Sequence, residues 1–349
     1  MPRSHFLLHA PDGGESLVPY QQIEAVPLAG PAGTLGIIHY DLLHTSTNKS
    51  LEQPRHMIKF LFSRMTEPDS GPTWNSQGLK WVGSEDIQEP IWRAQWDWHC
   101  GRPDKPSWDD TVSATGDVRE LSKQLQSNVE SEAVRAAYSL GCGGGGQEAT
   151  AALIQTLCTV PDEPIEVADE LSHKFYDSDP VCQAGYGLVE QGAAAVPALL
   201  EVMSSDEPLL RSRAIDVLGD IGPQAAAAIP TLLRAFEDRE MDPRRRAVEA
   251  IGTVGCGSSD RQELCAALVP MLRDHHEQVR RNAAYSLQRL GPAIKSGTKL
   301  EAEAVEALTT GLTDSNGYVR GFSAHALERI GTPASLRAAL KHLQVMRFD

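Results

Sequence analysis

The hydrophobic positions follow a helical period over most of the chain and a strand-like period near its beginning. After residue 116, apolar side chains recur every three or four positions and Ala and Leu dominate, which is typical of amphipathic helices. Earlier, short β-branched and aromatic runs are separated by Gly and Pro, which predicts short strands. The pattern therefore predicts a predominantly α protein with a first domain of strands over residues 1–68.

The helical part consists of repeated copies, each with an Arg near the start of a helix and a Gly at its end. The arginines are Arg211, Arg244, Arg280 and Arg320, the small residues three positions later are Ala214, Ala247, Ala283 and Ser323, and the closing glycines are Gly222, Gly255, Gly291 and Gly331. Successive closing glycines lie 33, 36 and 40 residues apart. Another helix with its own apolar stripe precedes each of these helices. The sequence thus predicts helical pairs, with a left-handed C-cap at each closing glycine.

These copies resemble the HEAT-repeat family over residues 117–349, with about six units and a terminal helix from Leu336 to Val345. A single helical pair cannot bury its apolar stripe, so the pairs must stack. The resemblance implies an α-solenoid that presents a surface to a protein partner. The repeated arginines could form a row that binds a ligand, or they could brace each turn and the neighbouring unit through carboxylates and helix ends. We favour bracing.

A tryptophan-rich segment over residues 69–116 connects the two parts. All six tryptophans lie between Trp74 and Trp108, and Trp92, Trp96 and His99 would share one face of a short helix. The rings could form a cage for a ligand, or they could pack where the sheet meets the first repeats. We favour packing, because such rings bury a large area in a short segment.

Candidate chemistry is concentrated in residues 31–65. Three strands are predicted there, and the order is Gly-Thr, an apolar strand, a His, an Asn four residues later and an Arg eleven residues after the His. His44, Asn48 and Arg55 occupy these places. The pattern resembles the C-terminal half of the phytanoyl-CoA dioxygenase family, which are Fe(II)- and 2-oxoglutarate-dependent oxygenases on a double-stranded β-helix.

The resemblance implies roles for two residues. His44 would be the second histidine ligand to Fe(II), and neutral imidazole suits this ion. Arg55 would hold the far carboxylate of 2-oxoglutarate, since a guanidinium offers a bidentate partner with a permanent charge. No residue is assigned a catalytic role.

The sequence departs from the family in its missing metal pair. The family places a His-x-Asp or His-x-Glu pair on a much earlier strand, whereas His39 and Asp41 lie immediately before His44 and are expected to shape the turn. Residues 1–65 hold about half of the eight strands of a jelly roll. We therefore expect a partial double-stranded β-helix, or half jelly roll, that begins in the middle of the ancestral domain and is inactive alone. Either the gene has lost its front half or the recorded start is an internal methionine.

Composition narrows the class of partner. With 32 Lys+Arg against 47 Asp+Glu the formal net charge is −15, which excludes nucleic-acid binding through bulk charge. No apolar run has the length of a membrane span, and no signal peptide is evident. The six cysteines are scattered without a C-x-x-C pair, so we expect reduced, mostly buried thiols and a cytoplasmic protein.

Two functions from different classes remain. In the first, the chain is a dioxygenase-like protein that would use Fe(II), 2-oxoglutarate and a small organic substrate if it were complete. In the second, it is a non-catalytic scaffold whose HEAT array binds a protein partner.

Overall fold

The structure is a computed structural model that describes residues 117–127, 130–143, 146–159 and 183–346. These residues are predominantly helical, and all of them belong to one compact unit of the chain. The partial double-stranded β-helix predicted over residues 1–68 and the tryptophan-rich segment over 69–116 lie outside the described residues. Both stay predictions from the sequence.

Thirteen α-helices follow one another through the described residues. They are α1 (Val118–Gln124), α2 (Glu130–Cys142), α3 (Gly146–Leu157), α4 (Ala184–Gln191), α5 (Val196–Val202), α6 (Pro208–Ile221), α7 (Ile229–Arg234), α8 (Met241–Val254), α9 (Arg261–Met271), α10 (Glu277–Leu290), α11 (Lys299–Gly311), α12 (Gly317–Ile330) and α13 (Pro333–Met346). Short 3-10 segments extend several of these helices, as Gly255–Gly257 does after α8.

The helices alternate between two layers. Each odd-numbered helix from α1 to α11 packs against the even-numbered helix that follows it, and the even-numbered helices also pack against one another in series from α2 to α12. The last helix, α13, packs against both α11 and α12. This arrangement is an α-solenoid, and it confirms the prediction of a predominantly helical, repeated architecture.

One continuous apolar core runs between the two layers. The small residue predicted in each copy is fully buried at the helix contacts, at Ala214, Ala247, Ala283 and Ser323. Large side chains such as Leu218 and Leu287 fill the space around them at 0% exposure. Small residues at these positions let neighbouring helices approach closely, and the Leu side chains provide most of the buried apolar area.

The closing glycines serve two different purposes. Gly331 adopts the left-handed conformation that the predicted C-cap requires, with φ of 69°, whereas Gly222 has a positive φ of 68° but a ψ of −138° that lies outside the left-handed helical region. Gly255 and Gly291 keep right-handed φ angles of −70° and −52°, so the prediction of a left-handed cap is wrong there. At these two positions a Cβ would lie 2.5 Å from Leu264 or 2.9 Å from Ile330. Glycine leaves room there for these two side chains, and its φ angle is one that any residue adopts.

Candidate protein-binding surface

Three of the repeated arginines pair with an aspartate of the next helical pair. We call these ion pairs the arginine ladder, and they are Arg211–Asp238, Arg244–Asp274 and Arg280–Asp314. In the first and third ion pairs, the arginine Nε and Nη2 each donate to one carboxylate oxygen of the aspartate, at distances of 2.7–3.1 Å. In the second, Nε donates to Oδ2 at 2.9 Å. None of the six side chains is more than 18% exposed.

Each ladder arginine also fixes the turn that precedes its own helix. Nη1 of Arg280 donates to the carbonyl oxygens of Asp274 at 2.9 Å and His275 at 3.2 Å. The Asp274 carboxylate stabilises the same turn, because Oδ1 accepts from the backbone N–H of His276 at 2.8 Å. The arginines therefore connect one turn to the next, and the interpretation of these residues as braces is confirmed for the ladder.

The ladder holds its aspartates in the ionised form. Burial by itself would raise the pKa of Asp274, but the hydrogen bonds from Arg244 and from the N–H of His276, together with the arginine charge, lower it below its usual range. The hydrogen bond from Arg280 is the main cause of the lowered pKa of Asp314. With its carboxylates ionised and paired, the ladder is a structural element.

A different set of polar side chains occupies a shared face of the even-numbered helices. We call it the even-helix face, and it is formed by two repeat positions four residues apart. The first position holds Tyr138, Tyr186, Asp216, Glu249, Tyr285 and His325, and the second holds Cys142, Glu190, Asp220, Thr253, Arg289 and Arg329. Contacts between helices connect neighbouring members, such as the stacked rings of Tyr138 and Tyr186 with centroids 5.8 Å apart.

Carboxylates dominate the even-helix face from α4 to α8. Asp216 is neutralised by an ion pair with Arg246. Glu249 accepts a hydrogen bond from Nδ2 of Asn282 at 2.8 Å. Asp220 is exposed to water. Partial desolvation by the surrounding protein is the main cause that raises its pKa to about 6, and the negative charge of Glu249 is the second cause. The negative charge of this face is thus least compensated around Asp220.

The acidic region is continuous with an aromatic one on α2 and α4. Glu190 accepts from the Cys142 thiol at 3.6 Å, which joins the two helices beside the tyrosine pair. Burial, and after it the charge of Glu190, raises the pKa of Tyr138 well above its usual value. Aromatic faces next to carboxylates suit the recognition of Lys and Arg side chains, which combine an apolar stem with a positive charge.

The site residues predicted from the sequence, His44 and Arg55, lie outside the described residues. Their roles toward Fe(II) and 2-oxoglutarate stay predictions. Within the described ranges, no group of three or more His, Cys, Asp or Glu side chains is placed to hold a metal ion. No helix in the described part of the chain is both long and apolar enough to span a bilayer.

The described cysteines are free thiols in different environments. Cys265 is buried, and burial raises its pKa to about 12. Cys158 and Cys256 are half-buried, whereas Cys142 is exposed. The other three described thiols are therefore less buried than the sequence analysis predicts.

Known proteins resemble the helical array. A family model for HEAT repeats matches residues 182–252 and 229–301. No curated protein has significant sequence similarity to the chain. The family model describes HEAT repeats, and none of the three solved structures reported in the next paragraph is described as a phytanoyl-CoA dioxygenase.

Several solved structures are similar to part of the chain at low identity and with TM-scores below 0.5. A crystal structure of an engineered protein has 20% identity and a TM-score of 0.41, over 62% of this chain and 97% of that one. A chain from a structure of Kap95p binding to RanGDP has 15% identity and a TM-score of 0.49. The match covers 64% of this chain and 32% of that one. A chain from the complex of CpcE and CpcF of phycocyanin lyase from Nostoc sp. PCC7120 has 20% identity and a TM-score of 0.37. The match covers 69% of this chain and 90% of that one. The family match and the stacked helical pairs together support HEAT repeats in this chain.

Proposed function

We propose that the chain is a non-catalytic interaction scaffold that binds a basic segment of a partner protein on the even-helix face. The observation that carries the proposal is the position of Asp220 on α6 beside Glu249 on α8. Asp220 is exposed, and the protein packed around it, followed by the repulsion between these carboxylates, raises its pKa to about 6. A Lys or Arg of a partner placed between them would remove this repulsion, so binding would be favourable.

The repeated geometry extends this site along the array. Each even-numbered helix contributes the same two positions, so a partner in an extended conformation meets a new pair of side chains at every unit. The acidic positions on α4, α6 and α8 are followed by the half-buried Tyr186 on α4, whose ring stacks on the buried Tyr138 of α2. The chemistry of this part of the face favours a partner segment with several positive charges.

Binding of a basic peptide to the full-length chain tests the proposal. The probe is a fluorescein-labelled 12-residue peptide of alternating Arg, Lys and Ser, with a Glu-containing peptide of the same length for comparison. We expect Asp220→Asn with Glu249→Gln to weaken binding about fivefold to tenfold, because each of the two contacts is worth about 0.5–0.7 kcal/mol at an exposed site. Fluorescence anisotropy at low and moderate salt gives the dissociation constants.

A matched control variant removes two negative charges from the layer of odd-numbered helices. Glu201 on α5 and Glu263 on α9 are exposed, and the variant Glu201→Gln with Glu263→Gln has the same net charge as the first variant. We expect the control to weaken binding less than twofold. Equal losses in the two variants, or no binding of the basic peptide to the unchanged protein, would show that the even-helix face is not the site.

A further inference from the structure

The even-helix face changes the sign of its charge between α8 and α10. Carboxylates such as Glu190 and Asp220 occupy its positions on α4 and α6. On α10 and α12 the same repeat positions hold a different set, which we call the basic half: Tyr285, Arg289, His325 and Arg329. We propose that the basic half binds an acidic stretch of the same partner segment whose basic stretch binds around Asp220. This second recognition element rests on the function proposed above.

Arg289 is half-buried on α10, at the boundary with α8. Its Nη1 donates to the hydroxyl oxygen of Tyr285 at 3.5 Å. Burial by itself would lower the pKa of Arg289, but hydrogen bonds with the Tyr285 hydroxyl and the Cys256 thiol raise it above its usual value. Cys256 belongs to the 3-10 segment after α8. The guanidinium is therefore charged and held beside an aromatic ring where the basic half begins.

The neighbouring helix α12 adds Arg329 on the side that faces α10. Phe322 of α12 contacts Tyr285 of α10, with ring centroids 5.2 Å apart, so Phe322 marks this side of the helix. At 100° per residue, Arg329 lies about 20° from Phe322 around the helix axis. Arg329 is exposed, so it is accessible to an anion of a partner. The two arginines thus flank one aromatic pair.

The carboxylate of Glu328 lies on the other side of α12. Around the helix axis it is about 60° from His325, in the direction away from Phe322. Its Oε2 is 3.6 Å from Nδ1 of His325, and both side chains are mostly exposed, at 70% and 62%. Glu328 therefore does not separate Arg329 from Arg289, and the space between the arginines is suited to a carboxylate of a partner.

The helix spacing determines how far apart the two stretches of the partner lie. Successive even-numbered helices pack against one another, and the axes of packed helices are about 8–10 Å apart. The centre between α10 and α12 is two spacings, about 18 Å, from the centre between α6 and α8. An extended chain rises about 3.3 Å per residue. The centres of the basic and acidic stretches should therefore be five or six residues apart.

The charge pattern favours a polypeptide over a nucleic acid. A strand of phosphates bound to Arg289 and Arg329 would continue onto α8, where Glu249 would repel it. A polypeptide can change the sign of its charge along its length, as this face does. The aromatic pair also reduces the local exposure to water, which strengthens contacts between arginine and carboxylate.

Peptides that differ only in one half test the proposal on the full-length chain. The probe is a fluorescein-labelled ten-residue peptide with four Lys or Arg, two Ser and four Glu, used in both orders because charge does not fix the direction of the partner. In the matched serine peptide, Ser replaces the four Glu. Fluorescence anisotropy at about 0.15 M salt, where the Debye length is about 8 Å, gives the dissociation constants. Thermal melting by circular dichroism shows whether each protein variant is folded.

We expect the four Glu to strengthen binding about fivefold in the tighter of the two orders, through two contacts at a mostly exposed site. The net charge of −15 by itself predicts the opposite, because the protein as a whole repels added Glu. Arg329→Glu should weaken binding of the Glu-containing peptide about fivefold and of the serine peptide less than twofold. Arg234→Glu, at an exposed arginine of α7, makes the same charge change and should weaken both less than twofold.

Three results would overturn the proposal. The first is that the Glu-containing peptide binds no more tightly than the serine peptide in either order. The second is an equal effect of folded Arg329→Glu and Arg234→Glu variants. The third is tight binding of a labelled oligothymidylate that Arg329→Glu abolishes, because the basic half would then bind nucleic acid. Failure of the proposed function is recognised separately, since the serine peptide would then not bind at all.

Discussion

The same repeat is stabilised differently at its beginning and in its middle. Between α2 and α4, two glycines bring the backbones together, since a Cβ on Gly141 would lie 2.5 Å from the carbonyl oxygen of Gly187. Between α8 and α10, Gly252 permits a similar close approach, and side-chain hydrogen bonds connect the helices in addition, such as Ser286 Oγ to the carbonyl of Val248 at 2.8 Å. The ladder pair Arg244–Asp274 joins the turns that precede these two helices.

This comparison shows two ways to stack helical pairs. Close backbone approach depends on shape, so it is insensitive to pH and intolerant of any added methyl group. A ladder of charge pairs tolerates small shifts in packing, but it depends on the ionisation of its aspartates. The two regions should therefore respond differently to substitution and to acid.

The largest effect is expected from breaking a ladder pair. Asp274→Asn leaves Arg244 nearly buried without an anion, because the two side chains are only 8% and 7% exposed. We expect the free energy of unfolding to fall by about 3 kcal/mol, as it does when one member of a buried pair is removed. Urea unfolding at pH 7 measures this value.

The effect of Asp274→Asn should also depend on pH. The pKa of Asp274 is lowered in the folded protein, so its contribution to stability is present above the pKa of the unfolded chain, about 4, and is lost as the pH falls through the folded value. The difference between variant and unchanged protein should shrink steadily below pH 4. Asp206→Asn, at an exposed carboxylate in an equivalent turn, is the control and should cost less than about 0.5 kcal/mol. Equal losses from the two variants would contradict a stabilising role for the ladder.

A smaller effect is expected from filling the glycine contact. In Gly187→Ala, the new methyl group would collide with the carbonyl oxygen of Ala137 and with Leu153, so α2 and α4 must separate. We expect a loss of about 2 kcal/mol that does not change between pH 5 and pH 8. Differential scanning calorimetry at both pH values measures it.

The matched control for this substitution lies at the other end of the array. Gly321 is inside α12, and a Cβ there would meet nothing within 4 Å. Gly321→Ala should therefore stabilise the protein by about 0.5–1 kcal/mol through helix propensity and reduced freedom of the unfolded chain. If Gly187→Ala were also stabilising, the close approach of α2 and α4 would not constrain the fold.

The solenoid could be predicted from the sequence because its causes are local and repeated. The spacing of apolar residues and the recurrent Arg and Gly predict both the helical pairs and the bracing role of Arg211, Arg244 and Arg280. Gly255 and Gly291 were not predictable in the same way, because their role depends on Leu264 and Ile330 from other helices.

The candidate surface was harder to predict because it combines side chains from several units. Asp220 and Glu249 are 29 residues apart in sequence, and nothing in their local patterns indicates that they interact. Alignment of the copies by their small residues would have placed them in adjacent rows of one face. The change in pKa depends on burial and on the separation of the two charges, which only the packed helices determine.

The smallest effect is expected at Asp220, where the carboxylate is next to Glu249 and no arginine of the described residues pairs with it. Its pKa is raised to about 6 in the folded protein, so the folded state holds this proton more tightly than the unfolded chain. Stability from this residue is therefore present at low pH and decreases as the pH rises from about 4 to about 6, which is opposite to the behaviour of Asp274. Asp220→Asn should stabilise the protein at pH 8 by about 1 kcal/mol, since solvent screening at a partly exposed site reduces the full linkage value, and it should have no effect near pH 3.5. Urea unfolding across this range measures the difference, and a destabilisation at pH 8 would mean that the Asp220 carboxylate is compensated within the protein and does not need a basic partner.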